Sequence, residues 1–182
     1  AEPCSQGRCG LAVSNICGAI LLALPCLATA QSVTTSGAVS PNPIPNPSPT
    51  WSLSGVAILV GESGTGTLAI ANGATVTNPA GQVVVGNNPG GIGLLTIDGV
   101  GSQLTTDQIY EGLLGGSGTV HVTNGGRITA AIVNLGAQAN GLPPNTGLTV
   151  DGAGSTVESN IFLVGLDGQG SFSASSGATV IT

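Results

Sequence analysis

Only 2 % of the 182-residue chain is aromatic and 5 % charged, and it has no methionine and no lysine; Arg8 and Arg127 are its two basic residues. Two isolated arginines cannot neutralise a run of phosphates, so no nucleic-acid partner is expected. One histidine and eight carboxylates leave little of the usual catalytic inventory. The shortage of charge does not signal disorder, because 41 % of residues are hydrophobic and disordered segments combine low hydrophobicity with high net charge. Glycine, at 31 residues, is abundant enough to argue against helical bundles, since each costs about 1 kcal/mol relative to alanine inside a helix. Collagen is excluded as well, because glycine does not recur strictly at every third position.

Residues 16–27 read ICGAILLALPCL, an uncharged apolar run followed by Ala28-Thr29-Ala30. Twelve residues suit the apolar region of a signal peptide and fall short of the roughly 20 that span a bilayer as a helix. A buried core helix is the alternative, and Pro25 would break it. The small-x-small pattern places signal cleavage between Ala30 and Gln31. Arg8 is offset by Glu2 and no initiator methionine precedes it, so the chain is expected to begin inside a longer reading frame. Cys4, Cys9, Cys17 and Cys26 all lie before the expected cleavage point. The mature part is therefore neither a disulfide scaffold nor a cysteine-ligated zinc protein. A lipid anchor at Cys26 is disfavoured by Leu24 and Pro25, which stand where small residues are expected.

Pro41, Pro43, Pro45, Pro47 and Pro49 occupy alternate positions within residues 31–50. Five missing amide donors favour polyproline II, so this stretch reads as a stiff Pro-rich linker and not a strand. Trp51 follows directly and is expected to cover the first end of a core.

Residues 51–182 repeat. Strand-like segments recur at Thr67–Gly73, Leu94–Gly99, Thr119–Gly125, Leu148–Ala153 and Ser171–Gly177, and their turn glycines Gly73, Gly99, Gly125, Gly152 and Gly177 are 26, 26, 27 and 25 residues apart. A fixed period of this size is the signature of a solenoid. Odd units turn on Asn-Gly or Ser-Gly, even units on Asp-Gly-Val-Gly-Ser or Asp-Gly-Ala-Gly-Ser. Alternation points Leu68, Ile70, Leu95, Ile97, Val120, Val122, Leu148, Val150, Phe172 and Ala174 to one side. Third strands contribute Val76, Leu104, Ile128, Val157 and Val180. First strands contribute Ile58–Val60, Val83–Val85, Leu113 and Leu114, Ile132–Leu135, and Ile161–Val164. One unit has no partner sheet on which to bury these faces, whereas stacking at about 4.8 Å buries them all. The fold expected is all-β, a right-handed parallel β-helix of about five coils with three strands per coil. An antiparallel sandwich does not explain equivalent strands returning at a fixed period. The last residues, Val180-Ile181-Thr182, fall within a strand, so further coils or a cap are expected to follow.

The segments 61–76 (GESGTGTLAIANGATV), 93–104 (GLLTIDGVGSQL) and 148–157 (LTVDGAGSTV) resemble the repeat of autotransporter (type V secretion) passengers, which is shared with some PEP-CTERM-associated exported proteins. The resemblance covers roughly residues 56–182. It implies a β-helical passenger that crosses the outer membrane through its own C-terminal β-barrel and stands on the cell surface of a Gram-negative bacterium. The expected partner is that translocation barrel, and the ligand of such a stalk or adhesin is unspecified. No run of ten-residue strands with aromatic girdles, the mark of such a barrel, occurs in the sequence. The role expected is a non-enzymatic exported structural module. Two rival readings are a carbohydrate-active β-helix enzyme whose catalytic residues lie elsewhere, and an exported matrix or sorted surface protein without a barrel.

The sharpest test of the enzymatic reading is Asp98 with Asp151, at matching corners two coils apart. Their separation of about 9.6 Å lies near the ~6.5–9.5 Å of inverting glycosidases. Asn72, Asp98, Asn124, Asp151 and Ser176 nevertheless form one series in which an Asx or Ser precedes a turn, which needs no catalytic assumption. Glu62 and Asp167 fall in Gly-rich turns, and His121, between Val120 and Val122, faces outward without a nucleophilic partner. Catalytic residues, metal sites and cofactors are therefore not expected, and calcium-binding nonapeptides and phosphate loops are absent from the sequence.

Overall fold

Short segments rich in Val, Ile, Leu and Thr, each closed by glycine, favour extended chain with tight corners. A computed structural model describes residues 29–137 and 146–182. The signal-like run through Ala28 and all four cysteines lie outside the described residues.

The strands are β1 (Ser32–Gly37), β2 (Val39–Ser40), β3 (Thr50–Ser52) and β4 (Ile58–Val60), then β5 (Thr65–Ala71) and β6 (Thr75–Val85), β7 (Ile92–Asp98) and β8 (Gln103–Glu111). They continue with β9 (Ser117–Thr123) and β10 (Arg127–Leu135), β11 (Gly147–Asp151) and β12 (Thr156–Val164), and β13 (Ser171–Ser175) and β14 (Thr179–Ile181). Odd strands from β5 to β13 stack in parallel as one sheet, and even strands from β4 to β14 stack in parallel as a second. The molecule is a parallel β-solenoid of about five turns, with no α-helix among the described residues.

Two sheets replace the three strands per coil read from the sequence. The third strand of one unit runs into the first strand of the next, as in β6, where Thr75–Asn78 and Gln82–Val85 pair with β8 on either side of a register break. The bend stays hydrogen-bonded because inward polar side chains serve its backbone. Asn78 Nδ2 donates to the Val56 carbonyl (2.6 Å), and Thr106 Oγ1 donates to the Gly81 carbonyl (2.8 Å). These bonds satisfy main-chain groups that the ladder abandons there.

The core is the column of inward side chains. Leu68, Leu95, Val120 and Leu148 stack in one file and Ile70, Ile97, Val122 and Val150 in the next, all buried. Val76, Leu104, Ile128 and Val157 line the second sheet. The expected inward residues Phe172 and Ala174 are exposed, because β13 has a neighbouring strand on one side only. Phe172 instead packs edge-on against Phe162, with ring centroids 5.0 Å apart. Ile161 and Val164, on β12 beside that same end, are also substantially exposed.

Leu113 and Leu114 were expected to be the first strand of the third unit; they form a 3-10 turn instead, with Leu114 at φ 57 and exposed. Ile109-Tyr110-Glu111 takes that rung, in register with Val83-Val84-Val85 below and Val133-Asn134-Leu135 above. Tyr and Glu disguise the rung, and the Leu pair beside it draws the eye.

The 31–50 segment is not a free spacer. Strand β1 pairs antiparallel with β5 and β2 pairs antiparallel with β4, closing the first edge of both sheets. Val33 is fully buried and exchanges backbone hydrogen bonds with Ser48, which draws the proline stretch back across the end of the column. Strands β1 and β2 thereby satisfy the backbone groups that the edge strands β5 and β4 would otherwise leave open. Trp51, in β3, pairs with Val76 of β6 and joins the core at this end.

Candidate functional site

The polar chemistry of the repeat collects at one corner, where each odd-numbered strand turns into the following even-numbered strand. Asn72, Asn124 and Ser176 have φ of 58, 53 and 55, and each is followed by a glycine also at positive φ. Two consecutive left-handed residues make the tight turn that Asn-Gly favours. The even corners are one residue longer and use two left-handed glycines each, Gly99 with Gly101 and Gly152 with Gly154.

The extra residue sets a buried serine beneath the corner. Ser102 Oγ donates to the Asp98 carbonyl (2.5 Å) and accepts from the Gly73 amide of the preceding coil (3.0 Å). Ser155 repeats this two coils on, donating to the Asp151 carbonyl (2.6 Å) and accepting from the Gly125 amide (3.0 Å). The acidic side chains reach the other way. Asp98 Oδ1 accepts from Thr123 Oγ1 (2.6 Å) and Asn124 Nδ2 (2.7 Å), and Asp151 Oδ1 accepts from Ser175 Oγ (2.6 Å). Even corners thus clamp the coil before them through serine and the coil after them through aspartate. Hydrogen bonds from Ser175 and Ser176 hold the Asp151 carboxyl below its ordinary range, against a smaller opposing effect of desolvation.

Asp98 and Asp151 therefore stand two rungs apart in one file with Thr123 between them, each tied to the coil above it. A general acid must be raised toward neutrality, and Asp151 is shifted the other way. The arrangement binds one coil to the next.

The remaining candidates are not brought together. His121 is half-exposed on the outer face of β9, between Thr96 and Thr149 of the adjoining strands. Glu62 is half-exposed and Asp167 exposed, in separate corners. Arg127 pairs with Glu158 of the next coil at 2.6 Å, on the surface. No group of three or more His, Cys, Asp or Glu side chains gathers as a metal site among the described residues. A shallow cleft on the odd-strand face is lined by Thr119, Thr146, Thr149, Gln169 and Ser171, hydroxyls and an amide without an ionisable group. Ala30 and Gln31 are exposed just before β1, and Gln31 opens the compact unit that runs to Thr182.

Two features escaped the sequence reading. A second corner, after each even-numbered strand from β4 to β12, carries Gly61, Gly86, Gly112, Gly136 and Gly165, all at φ between 68 and 75. The signal was present as a glycine after each V-x-V-like rung, but its spacing is less even than that of the Asx-Gly series. The other is Glu111, fully buried in a file of aliphatic side chains, with burial raising its carboxyl well above the ordinary range. Only an interrupted V-x-V pattern marks it in the sequence.

No protein-family model and no solved structure matches the chain. Over 101 residues, 54 % of its length, the chain is 37 % identical to the adhesin BmaC autotransporter of Brucella suis biovar 1 (strain 1330), of which the match covers 3 %. Over 75 residues, 41 % of its length, it is 36 % identical to the uncharacterised lipoprotein YdeK of Escherichia coli (strain K12), of which the match covers 5 %. The chain thus spans a small fraction of these relatives, and its similarity to an autotransporter adhesin and a lipoprotein is weak and partial.

Proposed function

We propose that this chain is a segment of an autotransporter-type passenger, exported across the inner membrane after cleavage at Ala30–Gln31 and displayed at the Gram-negative cell surface as a non-enzymatic stalk or adhesin-like module. The observation that carries the reading is the corner ladder. The carboxylates Asp98 and Asp151, best placed for chemistry, are engaged in holding successive coils together. The partial likeness to an autotransporter adhesin supports the same role. A column fastened by stacking and short hydrogen bonds needs neither a cofactor nor a disulfide. Each coil presents the next with a ready edge, so folding outside the membrane proceeds coil by coil and opposes return through an outer-membrane barrel.

The test is display of the intact gene product in a Gram-negative host, followed by protease treatment of whole cells. Release of fragments from residues 51–182 without permeabilisation is expected, and protection until the outer membrane is opened overturns surface display. The likeness to a lipoprotein favours a second reading, a module held in the envelope without its own barrel. It predicts membrane-associated material that remains protease-protected in whole cells.

A further inference from the structure

Glu111 is the one charged-type side chain that is fully buried among the described residues. On β8 it takes the inward position held by Val60 and Val85 in the rungs below and by Leu135 in the rung above. Both carboxyl oxygens are sealed from solvent and neither has a hydrogen-bond partner. The groups facing it are Val85 from β6, Leu135 from β10, and the backbone of Gly118 on β9, where an added Cβ would stand 3.3 Å from the Glu111 Cβ. Strand β6 carries no titratable side chain. His121 of β9 and Arg127 of β10 lie on the outer faces, and Asp107 of β8 lines a surface cleft. Among the described residues no cation is placed to neutralise a carboxylate there.

The chain beyond Glu111 provides a way out. Gly112 is left-handed at φ 68, Leu114 adopts φ 57 inside the 3-10 turn, and Gly115 follows at φ 100. This corner is held by the Gly112 amide on the Val85 carbonyl (3.0 Å) and by the Gly136 and Ala137 amides on the Glu111 carbonyl (3.1 and 3.0 Å).

We propose that Glu111 is a proton-controlled latch on the third coil: as a neutral acid it stays in the shaft and keeps the 111–117 corner seated, and on ionisation it swings into solvent and parts that corner from its neighbours. An unpaired carboxylate among aliphatic groups is far costlier than the loss of three exchangeable hydrogen bonds at a corner. The folded state holds the proton to a higher pH than the unfolded chain does. Stability is therefore full below the unfolded-state value near 4.3, and falls as pH rises from there toward the raised folded-state value. The exported column thus has one rung midway along it whose closure follows the pH of its compartment.

Hydrogen exchange of the full chain between pH 4.5 and 8, corrected for intrinsic rates, reads this directly at the amides of Gly112, Gly136 and Ala137. The opening constant is expected to rise up to about tenfold per pH unit, as release of one proton requires. In Glu111→Gln the slope should vanish. Glu111→Val, which restores the aliphatic file, should vanish likewise and exchange more slowly at neutral pH. A flat wild-type profile, or an equal slope in Glu111→Gln, overturns the latch. So does a Glu111 carboxyl carbon that titrates near 4.3 by NMR, a measurement that does not depend on either variant folding.

Discussion

Replacing Ser102 with alanine tests whether the corner ladder fastens the coils. The hydroxyl is fully buried and serves two main-chain groups on different coils. On its removal the Asp98 carbonyl still accepts from the Asn72 amide at 3.2 Å, so the Gly73 amide alone is orphaned. Gly73 is half-buried, which places the cost in the lower part of the range for an unsatisfied donor, about 1–2 kcal/mol. Ser155→Ala should cost at least as much, since it takes the serine partner from both the Gly125 amide and the Asp151 carbonyl. The two serines share no partner and lie two rungs apart, about 9.6 Å, so the double variant should lose about 2–4 kcal/mol by simple addition. Urea unfolding followed by the fluorescence of Trp51, the single tryptophan, and by far-ultraviolet circular dichroism reads both ends of the argument. With a slope of about 2 kcal/mol/M, each single variant should move the midpoint down by about 0.5–1 M. Alanine at Ser63, an exposed turn residue, is the control. If Ser102→Ala and Ser155→Ala both stay within about 0.5 kcal/mol of the parent, the serines are fillers and the ladder does not fasten the stack.

Gly118→Ala should be more damaging, because its new Cβ would overlap the Val85 carbonyl of the adjoining rung, which has no freedom to retreat. A loss of about 3 kcal/mol is expected in the same urea assay, whereas Gly64→Ala, whose Cβ meets nothing nearer than the Ala38 methyl at 3.7 Å, should be nearly neutral. Asp151 should titrate below its ordinary value of 3.8. A depressed folded-state value contributes stability that is present above the unfolded-state value and lost as pH falls through the folded one, so the effect belongs to the region below pH 4. Ser175→Ala should move the Asp151 carboxyl titration upward by NMR, and an unchanged value would dismiss the hydroxyl as its cause. Deleting residues 31–40 removes β1 and β2 and bares the first edge of both sheets. Concentration-dependent association is expected by size-exclusion chromatography, and a variant that remains as monodisperse as the parent would show that the cap does not guard the edge.

Much of the architecture was legible because it rests on a period. The Asx-Gly corners recur every 25 to 27 residues, and alternation between them names the inward face: Leu68 through Val150 on the odd strands and Val76 through Val157 on the even ones. A corner that requires positive φ and a strand that buries alternate residues are local demands, and local demands are written in residue type. The aspartates of the even corners were likewise recognisable as turn residues. Their hydrogen bonds to Thr123, Asn124 and Ser175 were not, because those partners lie 24 to 26 residues away and only the stacking offset brings them within reach.

Tertiary register decided the rest. Whether Ile109-Tyr110-Glu111 or Leu113-Leu114 fills the third rung depends on which set aligns with Val83–Val85, and the continuous pairing of β6, β8 and β10 selects the less apolar set. That choice forces a carboxyl into the shaft and turns two leucines outward into a corner. The proline-rich stretch is decided in the same way. Its composition favours extended chain, but Val33 and Ser48 meet only because the first coil offers an open edge and a buried pocket for valine. Composition and period determine that the chain coils; the matching of one rung to the next determines which residues each coil must bury and what closes its end.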